Sequence, residues 1–125
     1  VSTFLDTHAL VALHDGRVDV FGTASRRLLE TQDLRWSPAV HLELALLYEI
    51  GRLTLSPDLL LQGVVAQFGA TMATEPFGAV AASAARLTWT RDPFDRLITA
   101  HASLDGSPLV TRDRRITEHY PHAVW

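Results

Sequence analysis

The chain has 125 residues, 47% hydrophobic and 20% charged, and its eleven positive side chains against fourteen acids give a formal charge of −3. That length suits a single domain over residues 1–125, able to bury a core without disulfide or metal staples. All eleven positive side chains are Arg, with no Lys and no Cys, which excludes a lysine Schiff base, a Walker-type phosphate loop, a thiol nucleophile, a disulfide and a thiolate zinc site.

Ser2–Leu5 reads as a short strand ending at Asp6. Thr7–His14 reads as a short helix with Leu10, Val11 and Leu13 apolar, broken at Asp15-Gly16. A second helix is predicted over residues 19–31, with Val20, Ala24, Leu28 and Leu29 on one face. Leu34-Arg35-Trp36 forms a second strand, and Ser37-Pro38 opens a third helix, because Ser caps and Pro suits the first helical position. That helix runs to Ile50, where Gly51 stops it. Ser56-Pro57-Asp58 starts a fourth helix over 59–68, residues 70–73 form a third strand, and 79–87 a small-residue helix. Asp92-Pro93 opens a sixth helix that ends near Asp105-Gly106. Residues 108–111 form a buried strand, and Ala123-Val124-Trp125 closes the chain as a strand. Short apolar strands alternating with helices predict an α/β fold with a short, mainly parallel central sheet.

The first apolar stretch carries Asp6 and His8 with no basic run before it, unlike a signal peptide. The longest uncharged stretch, between Asp58 and Glu75, has 16 residues, short of the about 18 a membrane span needs. The expectation is a soluble, cytoplasmic protein without a membrane segment.

The acids gather at particular places on this map. Asp6 ends the first strand, and Asp113 lies just past the strand at 108–111. In open α/β sheets ligands bind outside the carboxyl ends of strands. Asp92 and Asp95 start a helix, and Glu43 sits among Leu42, Leu44, Ala45, Leu46 and Leu47, where an acid is costly unless paired or metal-bound. Clustered carboxylates repel one another, and divalent cations relieve that repulsion. Two such ions about 3.5–4 Å apart suit phosphodiester hydrolysis. A purely structural reading stands beside this one. Asp92 is also an ordinary helix cap, Asp95 occupies a capping-box position, and Asp6 and Asp113 suit turns.

Four segments carry a resemblance that covers essentially the whole chain. Phe4-Leu5-Asp6-Thr7-His8, Ser37-Pro38 with Glu43, Arg91-Asp92-Pro93-Phe94-Asp95-Arg96-Leu97-Ile98, and Leu109-Val110-Thr111-Arg112-Asp113 resemble, in order and spacing, the PIN domain family. The subgroup they resemble is that of VapC-type toxins from type II toxin–antitoxin pairs. The resemblance implies a three-layer PIN-like fold and a metal-dependent endoribonuclease. It assigns Mg²⁺ or Mn²⁺ binding to Asp6, Glu43, Asp95 and Asp113, with Asp92 as an extra acid and Thr7 and Thr111 as hydroxyl supports. It further implies a homodimer and a cognate VapB-like antitoxin. An RNA-processing PIN nuclease without an antitoxin, and a non-catalytic PIN-like interaction module, are the alternatives.

Arg91, Arg96, Arg112, Arg114 and Arg115 flank the acids, either holding RNA phosphates or pairing with surface acids. No spacing among the six His singles out an acid–base pair, although His8 and His41 lie near the site segments. Trp36, Trp89, Phe68 and Phe77 serve either core packing or base stacking. The fourth helix is apolar on more than one face, which suits either full burial or an exposed stripe for a dimer or antitoxin. With the five site acids set aside, nine acids face eleven Arg, so the acidity sits in the proposed pocket.

Overall fold

A computed structural model describes residues 2–125. Five short strands form one parallel sheet in the order β3-β2-β1-β4-β5: β1 Ser2–Leu5, β2 Asp33–Trp36, β3 Thr71–Met72, β4 Leu109–Val110 and β5 Ala123–Val124. Among the described residues seven α-helices flank it: α1 Thr7–His14, α2 Thr23–Thr31, α3 Pro38–Glu49, α4 Pro57–Phe68, α5 Phe77–Ala84, α6 Pro93–Ser103 and α7 Arg114–His119. The expected α/β class and parallel sheet are therefore present. Among the described residues no helix is long and apolar enough to cross a membrane.

The central strand explains the sheet. Thr3, Phe4 and Leu5 are completely buried, as a parallel strand covered on both faces should be. Phe4, Leu5, Leu10, Leu44, Leu60, Val64, Ile98, Leu109, Val110 and Ile116 join strands and helices into one core. Each large apolar side chain so buried stabilises the fold by about 1.5–3 kcal/mol.

The topology also fixes where a site can form. From β1 the chain crosses to β2 on one side and later returns to β4 on the other. Leu5 pairs with Val110, and the Asp6 N–H donates to the Val110 carbonyl at 3.0 Å. The ends of β1 and β4 thus lie side by side at the point where strand order reverses, the usual ligand crevice of such sheets.

Two predicted elements are corrected and a third is added. The helix expected over 19–31 begins at Thr23, after a 3₁₀ turn at Val18–Val20. Phe21 is buried against Trp125, with ring centroids 4.8 Å apart, and a Cβ on Gly22 would stand 2.6 Å from the Trp125 carbonyl oxygen. Packing against this aromatic corner interrupts the helix and rotates Ser25, not Ala24, inward. The small-residue helix runs Phe77–Ala84 because Pro76 caps its start. Helix α7, unforeseen in the sequence, follows Asp113 directly.

Helix α4 has two characters. Leu60, Leu61 and Val64 are buried, while Leu59, Val65 and Phe68 are exposed. Trp36 packs in the core, Trp89 stacks on His119 at 4.9 Å, and Phe77 is exposed.

Candidate active site

Asp6, Thr7, Glu43, Asp92, Asp95 and Asp113 line one open cleft of about 400 Å³. The fold brings them there by helix starts. Asp6 caps α1, Asp92 caps α6 and Asp113 caps α7. Each cap places a carboxylate against backbone N–H groups at a helix N-terminus, where negative charge is favoured. Glu43 comes from the interior of α3, and Asp95 from the first turn of α6.

Two threonines tie the acids together. The buried Asp6 accepts from the Thr7 N–H through Oδ1 at 2.8 Å and from the Thr111 hydroxyl through Oδ2 at 2.6 Å. Thr111 Oγ1 in turn accepts from the Asp113 N–H at 3.1 Å, while Asp113 Oδ1 accepts from the Ile116 N–H at 3.0 Å. The Thr7 hydroxyl donates to Glu43 Oε1. Asp92 Oδ1 accepts from the Phe94 and Asp95 N–H groups at 2.8 and 3.2 Å. The capping role read from the sequence for Asp92 is present, and the same residue lines the cleft.

Electrostatics distinguish this cleft. Burial, then the charges of Asp92, Asp113, Asp6 and Glu43, push the Asp95 carboxyl up to about 7. Burial also raises Glu43, against the hydrogen bond from Thr7, with Asp6 and Asp92 adding to the rise. Among the described residues no Arg forms an ion pair with any of these five acids. No Arg therefore offsets the desolvation and mutual repulsion that raise Asp95 and Glu43.

His8, set beside the site segments by sequence, lines the same cleft. Its Nε2 accepts the Arg112 N–H at 3.1 Å, so in the neutral ring Nδ1 carries the proton and faces Asp6 Oδ2 at 3.5 Å. Burial lowers its pKa, against the pull of Asp6. His41 lies elsewhere, 3.3 Å from Asp58.

The donor set is one that a hard divalent cation prefers: carboxylate oxygens, without thiolates. Among the described residues, however, no three of His, Asp and Glu are gathered so that they could hold a metal ion as they stand. Asp6, Asp92 and Asp113 are each held by hydrogen bonds from backbone N–H groups. The residues fit the ion in kind, and a cation between them would draw in side chains that now repel.

None of the five Arg singled out by sequence is among the side chains lining the cleft. Arg96 Nε donates to the Thr90 carbonyl at 2.7 Å, and the Arg112 guanidinium lies 5.6 Å from the centre of the Trp125 ring. Arg91, Arg114 and Arg115 are exposed. Arg17 and Arg52 do line the cleft. The signal for them in the sequence is local: each follows a helix-ending glycine, Gly16 or Gly51.

Comparison with known proteins agrees with this geometry. Residues 3–120 match the family described as PIN domain. No curated protein matches the chain significantly. Among solved structures, VapBC2 from Rickettsia felis bound to a DNA fragment from its promoter contains a similar chain. It has a TM-score of 0.66 and 16% identity, over 99% of this chain and 96% of that one. DNA-bound VapBC from Salmonella typhimurium is similar at TM-score 0.59 and 23% identity, over 99% and 96% of the two chains. FitAB bound to an IR36 DNA fragment is similar at TM-score 0.58 and 20% identity, over 98% and 93%.

Proposed function

The chain belongs to the PIN domain family, and from that premise we propose that it is a metal-dependent endoribonuclease, the toxin of a type II toxin–antitoxin pair acting in the cytoplasm. One observation carries the catalytic reading: five carboxylates share a cleft at the sheet's switch point with no Arg paired to them. The toxin reading leans on the likeness to chains of VapBC and FitAB complexes. A VapB-like antitoxin and a second copy of the chain are the proposed partners, and exposed Leu59, Val65 and Phe68 on α4 suit such contacts.

Asp6, Glu43, Asp95 and Asp113 would hold Mg²⁺ or Mn²⁺, with Asp92 beside them. When bound, such an ion supplies Lewis acidity, making water a nucleophile at neutral pH and offsetting charge on the phosphate oxygens. The chain's own residues do the rest. Thr111 orients Asp6 and anchors the backbone at Asp113, Thr7 orients Glu43, and His8 presents Nδ1–H toward Asp6. Asp95, raised to about 7 by burial and its acidic neighbours, would give up its proton when a cation binds, because metal and proton compete for the same carboxylate. Nothing in this arrangement needs the 2′-hydroxyl, so RNA preference would come from shape and unpaired loops.

The test is cleavage of a structured RNA by the purified chain with Mn²⁺, stopped by chelator. Metal-independent cutting, or none at all, would contradict the proposal, and the latter would favour a non-catalytic module.

A further inference from the structure

The cleft has a second end. Along α1 its lining passes from Thr7 and His8 through Val11 to Arg17; along α3 it passes from Glu43 through Leu47 to Arg52 and Leu53. Thr7 to Val11 and Glu43 to Leu47 are each steps of four residues, one helical turn. The cleft therefore follows one face of each helix, from the acids toward both C-termini.

Both helices end in the same way. Gly16 and Gly51 are left-handed, with φ of 72° and 81°. The Gly16 N–H donates to the Leu13 carbonyl at 3.1 Å and the Arg17 N–H to Ala12 at 3.0 Å. The Gly51 N–H donates to Tyr48 at 3.1 Å and the Arg52 N–H to Leu47 at 2.8 Å. These are two Schellman motifs, and in each the residue after the glycine is an Arg whose backbone is fixed by the motif. Among the described residues neither Arg takes part in an ion pair. By contrast Arg35 is paired with Glu75, and Arg26 and Arg96 are bonded to carbonyls.

Resting on the reading of the cleft as an RNA-cleaving site, we infer that Arg17 and Arg52 form a phosphate subsite that holds the substrate backbone away from the scissile bond. Glu43 and the C-cap residue Ile50 lie seven positions apart along α3, a rise of about 10 Å. That backbone spacing assigns the guanidiniums to a phosphate other than the one attacked. The acidic end repels a polyanion, and two unpaired guanidiniums carried on fixed backbone at the other end supply the attraction that brings RNA into the cleft.

The test is anisotropy of a fluorescent single-stranded RNA of about a dozen nucleotides, titrated between about 50 and 200 mM salt. It is run with Mg²⁺ in an Asp6→Asn background that prevents cutting. Removing one or two phosphate contacts with Arg17→Ala plus Arg52→Ala should flatten the log–log salt slope by about 0.7 to 1.4. Arg17→Lys plus Arg52→Lys should restore most of the slope, since an ammonium also neutralises phosphate. In the cutting-competent chain the Ala pair should raise KM several-fold with kcat within about twofold. That KM effect should shrink on a dinucleotide, whose single phosphate is the one attacked. An unchanged slope, or equal loss on both substrates, would overturn the inference. The two readings separate cleanly. A flattened slope in a chain that never cuts RNA keeps the subsite and sinks the nuclease, whereas cutting with an unchanged slope does the reverse.

Discussion

Helix α6 borders two carboxylate environments that contrast sharply. Near its start Asp95 faces four other acids and is pushed up to about 7. Near its end His101 Nε2 lies 3.1 Å from Glu75 Oε1, and the Arg35 guanidinium grips both Glu75 oxygens at 2.8 and 2.7 Å. The Arg35 hydrogen bonds hold Glu75 below its ordinary value despite partial burial. His101 Nε2 carries the proton toward Glu75, so Nδ1 accepts from the Ser37 hydroxyl at 3.1 Å, and Ser37 Oγ accepts from the Ala39 N–H. This relay fastens the start of α3, which carries Glu43, to α6, which carries Asp95. The chain neutralises an acid where it holds the fold together. It leaves acids unneutralised where a cation from solution is expected to bind.

Breaking the unneutralised side should have the largest effect. Asp95→Asn is expected to lower RNA cleavage beyond the about 10–100-fold typical of losing a group that merely orients a metal ligand. In metal-free buffer it should unfold at a higher temperature than the wild type, because a repulsive charge is gone. Lower stability together with full activity would reverse the comparison. Breaking the neutralised side should do the opposite. Arg35→Ala is expected to cost about 1.5–3 kcal/mol of stability by denaturant unfolding, the range for a hydrogen bond to a charged group. A cost near zero would reduce the relay to an incidental contact.

The two acids should also respond to pH with opposite signs. Asp95 has its native pKa raised from 3.8 to about 7. Over that window the native chain keeps a proton that the unfolded chain has released, so this contribution to stability is full below about pH 4 and is lost as pH rises through 7. Glu75 is lowered, so its contribution is present above the ordinary glutamate value and lost as pH falls. His8 and His101, both lowered, also weaken the fold as pH falls below 6.5. The difference in Tm between wild type and Asp95→Asn cancels these shared contributions and should widen from pH 4 to pH 7. A difference independent of pH would contradict the assignment. The smallest expected effect is a Tm rise of a few degrees with millimolar Mg²⁺. It should be larger at pH 8 than at pH 5, because metal and proton compete for the same carboxylates.

The elements that place the acids were legible because their signals are local. Ser37-Pro38, Asp92-Pro93 and Gly51 mark helix ends through capping and backbone conformation. Asp6 and Asp113 could be put at strand ends because β1 and β4 are buried apolar runs. The start of α2 was not legible, since it depends on Phe21 and Gly22 meeting Trp125 from the far end of the chain. Helix α7 is six residues long, too short for periodicity to declare it. The Arg lining the cleft were not legible for a similar reason. Sequence proximity to the acids singled out Arg91, Arg96, Arg112, Arg114 and Arg115, Arg114 and Arg115 foremost, whereas the direction of α1 and α3 brings Arg17 and Arg52 to the cleft.

The central claim is that the carboxylate cleft cuts RNA with a divalent metal. Its most direct test is a side-by-side cleavage assay of wild type and Asp6→Asn on a structured RNA with Mn²⁺, with circular dichroism showing that both are folded. The account predicts chelator-sensitive cutting by the wild type and its loss in Asp6→Asn. Equal cutting by the two proteins would contradict it.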